Sequence, residues 1–196
     1  MKTKLILASS SPFRQSILEK FAINFESFSP NVDESRLSSE SPAQLVARLS
    51  ELKAKAAHGM YPSGLVIGSD QVAVFKDEIL GKPHTIENAV AQLSKFSGNK
   101  VTFLTGLCVY CLETGETRTI VEQFNVYFRS LTFSEIQNYI QLEQPLSCAG
   151  SFKSEGLGIC LFDKLEGEDP NTLIGLPLIA LNRLLREFGF NVLERQ

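Results

Sequence analysis

Leu5-Ile6-Leu7-Ala8-Ser9-Ser10-Ser11-Pro12-Phe13-Arg14 joins an apolar run to a helix start through small polar residues. Lys4–Ala8 reads as a buried strand. Ser11 is placed to cap a helix with Pro12 at its first position, where the missing N–H costs nothing. Ile17, Leu18 and Phe21 then supply the apolar stripe of that helix. A helix N-terminus carries unpaired N–H donors and partial positive charge, so it attracts phosphate. With Arg14 beside it, the stretch suits a phosphate-bearing ligand. The same composition also serves as an ordinary cap, so taken alone it leaves both readings open.

Strands and helices alternate along the rest of the chain. Phe25–Ser29 reads as a short strand. Ser41-Pro42-Ala43-Gln44 has capping-box spacing and opens a helix with Leu45, Val46, Leu49 and Leu52 at helical intervals. Leu65–Phe75 is a strand, turned at Lys76-Asp77 into Glu78–Gly81. Thr85 starts a helix with Ile86, Ala89, Val90, Leu93 and Phe96 on one face. Lys100–Leu112 and Thr117–Phe128 form a hairpin around Glu113-Thr114-Gly115-Glu116. Thr132-Phe133-Ser134-Glu135 is a second capping box, before Ile136, Tyr139 and Ile140. Gly158–Phe162 reads as a strand. Pro177 begins a last helix carrying Leu178, Leu181, Leu184, Leu185 and Phe188, closed by Gly189. This order predicts an α/β fold, a mixed sheet flanked by helices, in a single domain over residues 1–196.

Composition narrows the function. The chain has 196 residues, 43% of them apolar, enough for a sizeable core, and a formal charge of −3. No basic field is available to hold a nucleic-acid polymer. No apolar run approaches the roughly 18 residues of a membrane span, and the four apolar residues Leu5–Ala8 before Ser9 are too few for a signal-peptide core. Cys108, Cys111, Cys148 and Cys160 lie in apolar segments and suit reduced thiols, which predicts a cytoplasmic protein.

Several segments could carry chemistry. Ile67-Gly68-Ser69-Asp70-Gln71-Val72 places a carboxylate inside an apolar strand. A buried carboxylate is costly unless partnered, so Asp70 has a structural partner or works in a cleft as base or metal ligand. Gly81-Lys82-Pro83 offers a point charge beside a glycine that lets a ligand approach, or an ordinary turn. Asn31-Val32-Asp33-Glu34 could hold Mg²⁺ or decorate a loop. Lys53 and Lys55 read as a solvated helix face. Ala149-Gly150-Ser151-Phe152-Lys153-Ser154-Glu155-Gly156 has the composition of a ligand wall, and Asp169-Pro170-Asn171-Thr172 reads as a loop into the last helix. Cys108-Val109-Tyr110-Cys111 lies in a strand pattern, where residues three apart face opposite ways, so it is not a chelating pair. His58 and His84 have no metal spacing.

Taken in order, Ser9-Ser10-Ser11-Pro12-Phe13-Arg14, Asp33-Glu34, Ile67-Gly68-Ser69-Asp70-Gln71, Gly81-Lys82-Pro83, Ser97-Gly98 and Gly150-Ser151-Phe152-Lys153-Ser154-Glu155-Gly156 resemble the Maf family of nucleotide pyrophosphatases. The match runs over almost the whole chain. It is closest to the YceF-like branch, which acts on 7-methyl-GTP, above all in Ala149–Gly156 and in residues 165–177. The resemblance implies an elongated, two-lobed α/β fold with a central cleft, related to inosine triphosphate pyrophosphatases. It implies hydrolysis between the α- and β-phosphates of a nucleoside triphosphate, a divalent cation (Mg²⁺, or Mn²⁺ or Co²⁺ in its place) and often a homodimer. Carried over by motif, Ser9, Ser11, Arg14, Lys53 and Lys82 are phosphate binders, Asp70 is the general base, and Glu34 with Asp70 contacts the metal.

Base choice follows from three further positions. N7-methylation makes guanine cationic, and a cationic ring stacks well on an aromatic face such as Phe13. The N1–H and N2–H₂ edge of guanine offers two donors that a carboxylate accepts, which suits Glu155. Gln71 would help read the base or ribose. The dTTP- and UTP-directed branch of the family has a basic residue, Thr and Gln at the positions of Phe13, Gln71 and Glu155, so all three side here with 7-methyl-GTP. Phe13 stands where close relatives commonly carry Trp, a stronger partner for a cation. The alternatives are a dTTP/UTP pyrophosphatase of the same family and a non-catalytic regulator of cell division.

Overall fold

The computed structural model describes residues 3–194. Seven strands form one mixed sheet: β1 (Leu5–Ala8), β2 (Glu26–Phe28), β3 (Leu65–Phe75), β4 (Glu78–Leu80), β5 (Lys100–Cys111), β6 (Thr117–Phe128) and β7 (Phe162–Glu166). Among the described residues six α-helices accompany them: α1 (Pro12–Glu19), α2 (Pro42–Lys55), α3 (Ile86–Phe96), α4 (Phe133–Glu143), α5 (Pro170–Ile174) and α6 (Leu178–Glu187). The strand order is β2-β1-β3-β5-β6-β7, with β4 paired to β3. β1 runs parallel to both β2 and β3, whereas β4 is antiparallel to β3 and β7 to β6. This is the α/β mixed sheet that the alternation of patterns predicts.

The chain resolves into two compact units, each assembled from separated segments. The first comprises Met1–Asp70, Thr105–Glu122 and Gly175–Gln196. Part of its core is Ile6, Ala8, Ala54, Ala57, Val66, Cys108 and Tyr110. The second comprises Gln71–Leu104 and Gln123–Ile174. Its core is aromatic: the Phe152 ring packs edge-on against Phe103, Phe128 and Phe162, with centroids 5.3, 5.7 and 4.9 Å away.

Local chemistry explains the helix starts. Ser41 and Thr132 accept from the backbone N–H groups of Gln44 and Glu135, whose side chains accept in turn from the N-cap backbone N–H groups. Each reciprocal pair satisfies two donors that would otherwise be orphaned. Lys76 and Asp77 both adopt positive φ, 48° and 68°, in the two-residue turn between β3 and β4.

Two readings of the sequence need correction. Gly158–Phe162 is not a strand: Leu157–Leu161 is a 3-10 turn and β7 starts at Phe162. Local bonding decides this, because the Ile159 N–H donates to Gly156 O, and a Cβ on Gly158 would lie 2.2 Å from Lys153 O. The loop at Asp169–Thr172 contains α5, since Asp169 Oδ1 accepts from the Asn171 N–H at 2.8 Å and Asp169 O from the Thr172 N–H at 3.0 Å. Smaller shifts trim β1 to Leu5 and β2 to Glu26–Phe28, and move Pro177 to the N-cap of α6.

All four cysteines are free, and among the described residues no helix is long and apolar enough to cross a membrane.

Candidate active site

In the first unit the site grows from the end of β1. Ser9 is buried, and its Oγ accepts from the Ser11 N–H at 3.1 Å. Ser11 caps α1, accepting from the Arg14 N–H at 3.5 Å, with Pro12 next to it. No acidic residue lies in the first turn of α1, so its positive end is not neutralised there. Arg14 Nε donates to Gly175 O at 2.9 Å. The same carbonyl lies 2.8 Å from Ser69 Oγ, which is 2.9 Å from Gly106 O. Gly175 takes φ 113°, a conformation that side chains resist, and this turn aims its carbonyl at Arg14. Burial pushes the Arg14 pKa down and the charges of Asp70 and Glu34 oppose that shift. Guanidinium stays protonated regardless.

Two glycines bring α2 onto the sheet. A Cβ on Gly68 would fall 2.1 Å from Ser50 O, and one on Gly106 would fall 2.1 Å from Val46 O. Helix backbone therefore lies directly on strand backbone, and Lys53 comes to face Asp70. Lys53 is buried rather than on a solvated face, which corrects the reading from helical spacing. Its Nζ lies 2.6 Å from Asp70 Oδ1 and 2.8 Å from Glu34 Oε1. Asp70 and Lys53 each have less than a tenth of their surface exposed, whereas Glu34 is well exposed.

The loop that carries Glu34 is strapped to α2. Arg48 Nε and Nη2 donate to Glu40 Oε1 and Oε2 at 2.6 and 2.8 Å, and Arg48 Nη2 also reaches Ser35 O at 3.0 Å. Arg36 donates twice to Glu40 O. Asp33 is exposed and accepts from the Ser35 N–H at 2.9 Å. Hydrogen bonding to Arg48 holds the Glu40 carboxyl below its ordinary range.

The fit of a divalent cation can be judged from these contacts. Among the described residues no group of three or more His, Cys, Asp and Glu has metal-binding geometry. Two carboxylate oxygens do converge on one cation position, now held by Lys53 Nζ. Mg²⁺ is commonly held by one or two carboxylates together with substrate phosphates, so this donor set fits it.

In the second unit Gln71 Nε2 donates to Thr172 O and Leu173 O at 2.8 and 3.2 Å, tying β3 to α5. Lys82 is exposed, and a Cβ on the neighbouring Gly81 would meet no protein atom within 4 Å. Gln92 on α3 links two loops: its Nε2 donates to Gly81 O at 3.2 Å, and its Oε1 accepts from Ser151 Oγ at 2.5 Å. Glu155 is exposed on the loop after Phe152. Burial raises the Cys148 pKa, and the charge of Lys153 opposes that shift. Phe13, in the first unit, is half-buried at the start of α1. Ser97-Gly98 serves a structural end: Ser97 caps α3 and its Oγ accepts from the Leu131 N–H at 2.7 Å.

A family model described as Maf-like protein matches residues 4–188. The chain belongs to the Maf family. It is similar to the 7-methyl-GTP pyrophosphatase of Pseudoalteromonas translucida (strain TAC 125), 67% identical over 196 residues, 100% of this chain and 97% of the relative. It is 60% identical to the 7-methyl-GTP pyrophosphatase of Colwellia psychrerythraea (strain 34H / ATCC BAA-681) over 100% of this chain and 98% of the relative. Among solved structures, the Staphylococcus aureus Ham1 protein superposes with a TM-score of 0.53 at 13% identity, covering 95% of this chain and 100% of that one. At that identity the likeness concerns the fold alone.

Within this Maf-family chain, sequence reasoning missed the residues that hold others in place. Ser69 was in view but read only as a neighbour of Asp70, and Glu40 and Arg48 carried no signal beyond ordinary surface charge. Their value lies in partners 8 residues apart across a helix cap, a spacing with no periodic signature.

Proposed function

We propose that this chain hydrolyses 7-methyl-GTP to 7-methyl-GMP and pyrophosphate. The observation that carries the reading is the convergence of Asp70, Glu34 and Lys53, with Arg14 tied through the Gly175 carbonyl to Ser69, the neighbour of Asp70. The names of the full-length relatives support the substrate.

The roles follow from the contacts. Asp70 Oδ1 is held by Lys53, and among the described residues Oδ2 accepts no hydrogen bond. That second oxygen is placed to orient a water and take its proton as the water oxygen attacks phosphorus in line with the α–β anhydride bond. The bond to the bridging oxygen breaks, and pyrophosphate leaves with the electron pair. Arg14, Lys53 and the N–H groups at the start of α1 stabilise charge that shifts toward the leaving group. Ser9 and Ser11 shape that N-terminus, and Lys82 adds a further phosphate charge. Glu34 and Asp70 would hold a divalent cation, Mg²⁺ or else Mn²⁺ or Co²⁺, which supplies charge neutralisation and lowers the pKa of a bound water. Glu155 accepts from the guanine N1–H and N2–H₂ edge, and Phe13 offers a face to the cationic ring. The amide N–H₂ of Gln71 is committed to α5, so its contribution to recognition is to fix that helix.

Pyrophosphate release from 7-methyl-GTP, GTP, dTTP, UTP and CTP with Mg²⁺ tests the substrate. Highest kcat/KM on 7-methyl-GTP is expected, with the preference weakened in Glu155→Gln. Preference for dTTP or UTP would overturn the base reading. For Asp70→Asn, kcat should fall by about 10³-fold or more with nucleotide affinity kept within a few-fold. Retained turnover would remove Asp70 from the base role.

A further inference from the structure

Glu143 ends α4 with its carboxylate turned onto the loop that carries Glu155. Its Oε2 accepts from the Leu157 N–H at 2.8 Å. Its Oε1 pairs with Lys153 Nζ at 3.2 Å, and Lys153 Nζ also donates to the Glu143 carbonyl at 2.8 Å. One residue thus grips the loop at Lys153 and at Leu157, on either side of Ser154-Glu155-Gly156. One turn earlier on α4, Tyr139 OH accepts from the Lys153 N–H at 3.1 Å. The fit leaves no slack, because a Cβ on Gly156 would lie 2.7 Å from Glu143 Oε2. The Glu143–Lys153 pair is largely shielded, with side chains 16% and 24% exposed.

The placement works against the helix. A carboxylate in the last turn opposes the helix dipole, and α4 has no basic residue there to offset it. What the carboxylate gains lies in the loop. Between the two anchors, Glu155 projects into solvent and accepts only the Ser154 hydroxyl, at 3.3 Å, among the described residues. Its span is fixed at both ends while its own acceptors stay available, the arrangement of a preorganised recognition group.

We infer that Glu143 is a positioning residue for base recognition, clamping the Lys153–Leu157 loop so that Glu155 meets the donor edge of the purine. The inference rests on the assignment of Glu155 to the base. Glu143 touches neither substrate nor reacting atoms, so its loss acts on affinity and selectivity rather than on the chemical step.

Glu143→Ala, Glu143→Gln, Glu155→Gln and the Glu143→Ala/Glu155→Gln pair test it. Two readouts are needed: amide hydrogen exchange of the segment around Leu157 without nucleotide, and kcat and KM on 7-methyl-GTP and UTP. In Glu143→Ala the segment should exchange faster. Its KM for 7-methyl-GTP should rise about tenfold with kcat within about threefold. Its selectivity over UTP, which lacks the two-donor edge, should drop to that of Glu155→Gln, and the double variant should lose little more. Glu143→Gln keeps an acceptor for the Leu157 N–H and loses the charge pair, so it should fall between wild type and Glu143→Ala. Unchanged exchange in folded Glu143→Ala and Glu143→Gln overturns this inference alone. So does unchanged selectivity in both, or an equal loss of kcat on both nucleotides. Unchanged selectivity in Glu155→Gln overturns the base assignment, and this inference with it.

Discussion

Lys53 shows how a side chain can change meaning between sequence and structure. Lys53 and Lys55, among Glu51 and Ala54, read as a solvated face, yet Lys53 is buried against Asp70 and Glu34. Breaking a buried pair by removing one partner leaves the other charge uncompensated, which costs more than the pair itself contributes. Lys53→Met should therefore lower unfolding free energy by about 3 kcal/mol, with Asp70 left alone in its strand. Asp70→Asn in the same chain should recover part of that loss, because the stranded charge is gone. Urea unfolding of both single variants and the double variant measures this, and strictly additive losses would contradict the coupling. Asp70 itself was legible, since a carboxylate in an apolar strand needs a partner or a task. The identity of the partner was not, because it depends on how closely α2 lies to β3, and that closeness is set by residues with no side chain.

Those residues act on the scale of elements. Gly68 and Gly106 lie inside segments that read in sequence as unbroken strands, although each marks a place where α2 backbone meets strand backbone. Gly106→Ala forces a Cβ to within 2.1 Å of Val46 O unless the helix moves. We expect about 3 kcal/mol of destabilisation, at the upper end of overpacking, and a fall in kcat as Lys53 shifts away from Asp70. Full activity and an unchanged melting temperature would show that α2 yields without cost. The capping boxes, by contrast, were legible, because S/T-x-x-E/Q is local chemistry complete within four residues. The box at α4 makes a pH prediction. Bonding to Arg129 and to Thr132 holds the Glu135 carboxyl at about 2, below the ordinary 4.5. Its contribution to stability is therefore present above pH 4.5 and lost as pH falls toward 2. Wild type should lose urea resistance over that window more steeply than Glu135→Gln, and parallel profiles would refute the claim. The 3-10 turn at Leu157–Leu161 and the short α5 were not legible, because both rest on backbone bonds that leave no hydrophobic period.

On the scale of the molecule, charge sets the terms for an anionic substrate. The chain carries −3 overall. In the first unit's cluster the charges of Arg14 and Lys53 are cancelled by those of Glu34 and Asp70, two against two. A triphosphate meets a neutral cluster rather than a positive one, so a divalent cation should be needed to draw it in. Calorimetric titration with a non-hydrolysable 7-methyl-GTP analogue should give affinity at least about tenfold weaker in EDTA than in Mg²⁺. Equal affinity in both would mean that the helix N-terminus and Arg14 suffice. The alternation of elements predicted the mixed sheet, but not the weaving of two units from five segments, because three of the four crossings fall inside β3, β5 and β6, strands that read as continuous.

That weaving bears on how the protein is made. The first unit closes only with its last segment, which begins at Gly175. Gly175 supplies the carbonyl that orients Arg14 and receives Ser69, and α6 behind it brings Leu178, Leu181, Leu184 and Leu185 to the core. During synthesis the N-terminal end emerges first. Ser9, Arg14, Lys53 and Asp70 thus leave the ribosome long before the residue that holds Arg14 in place. A nascent chain, or one cut short ahead of Gly175, has every charged group of the proposed phosphate site but lacks the carbonyl that aims its arginine, so competence should wait for the segment that begins at Gly175.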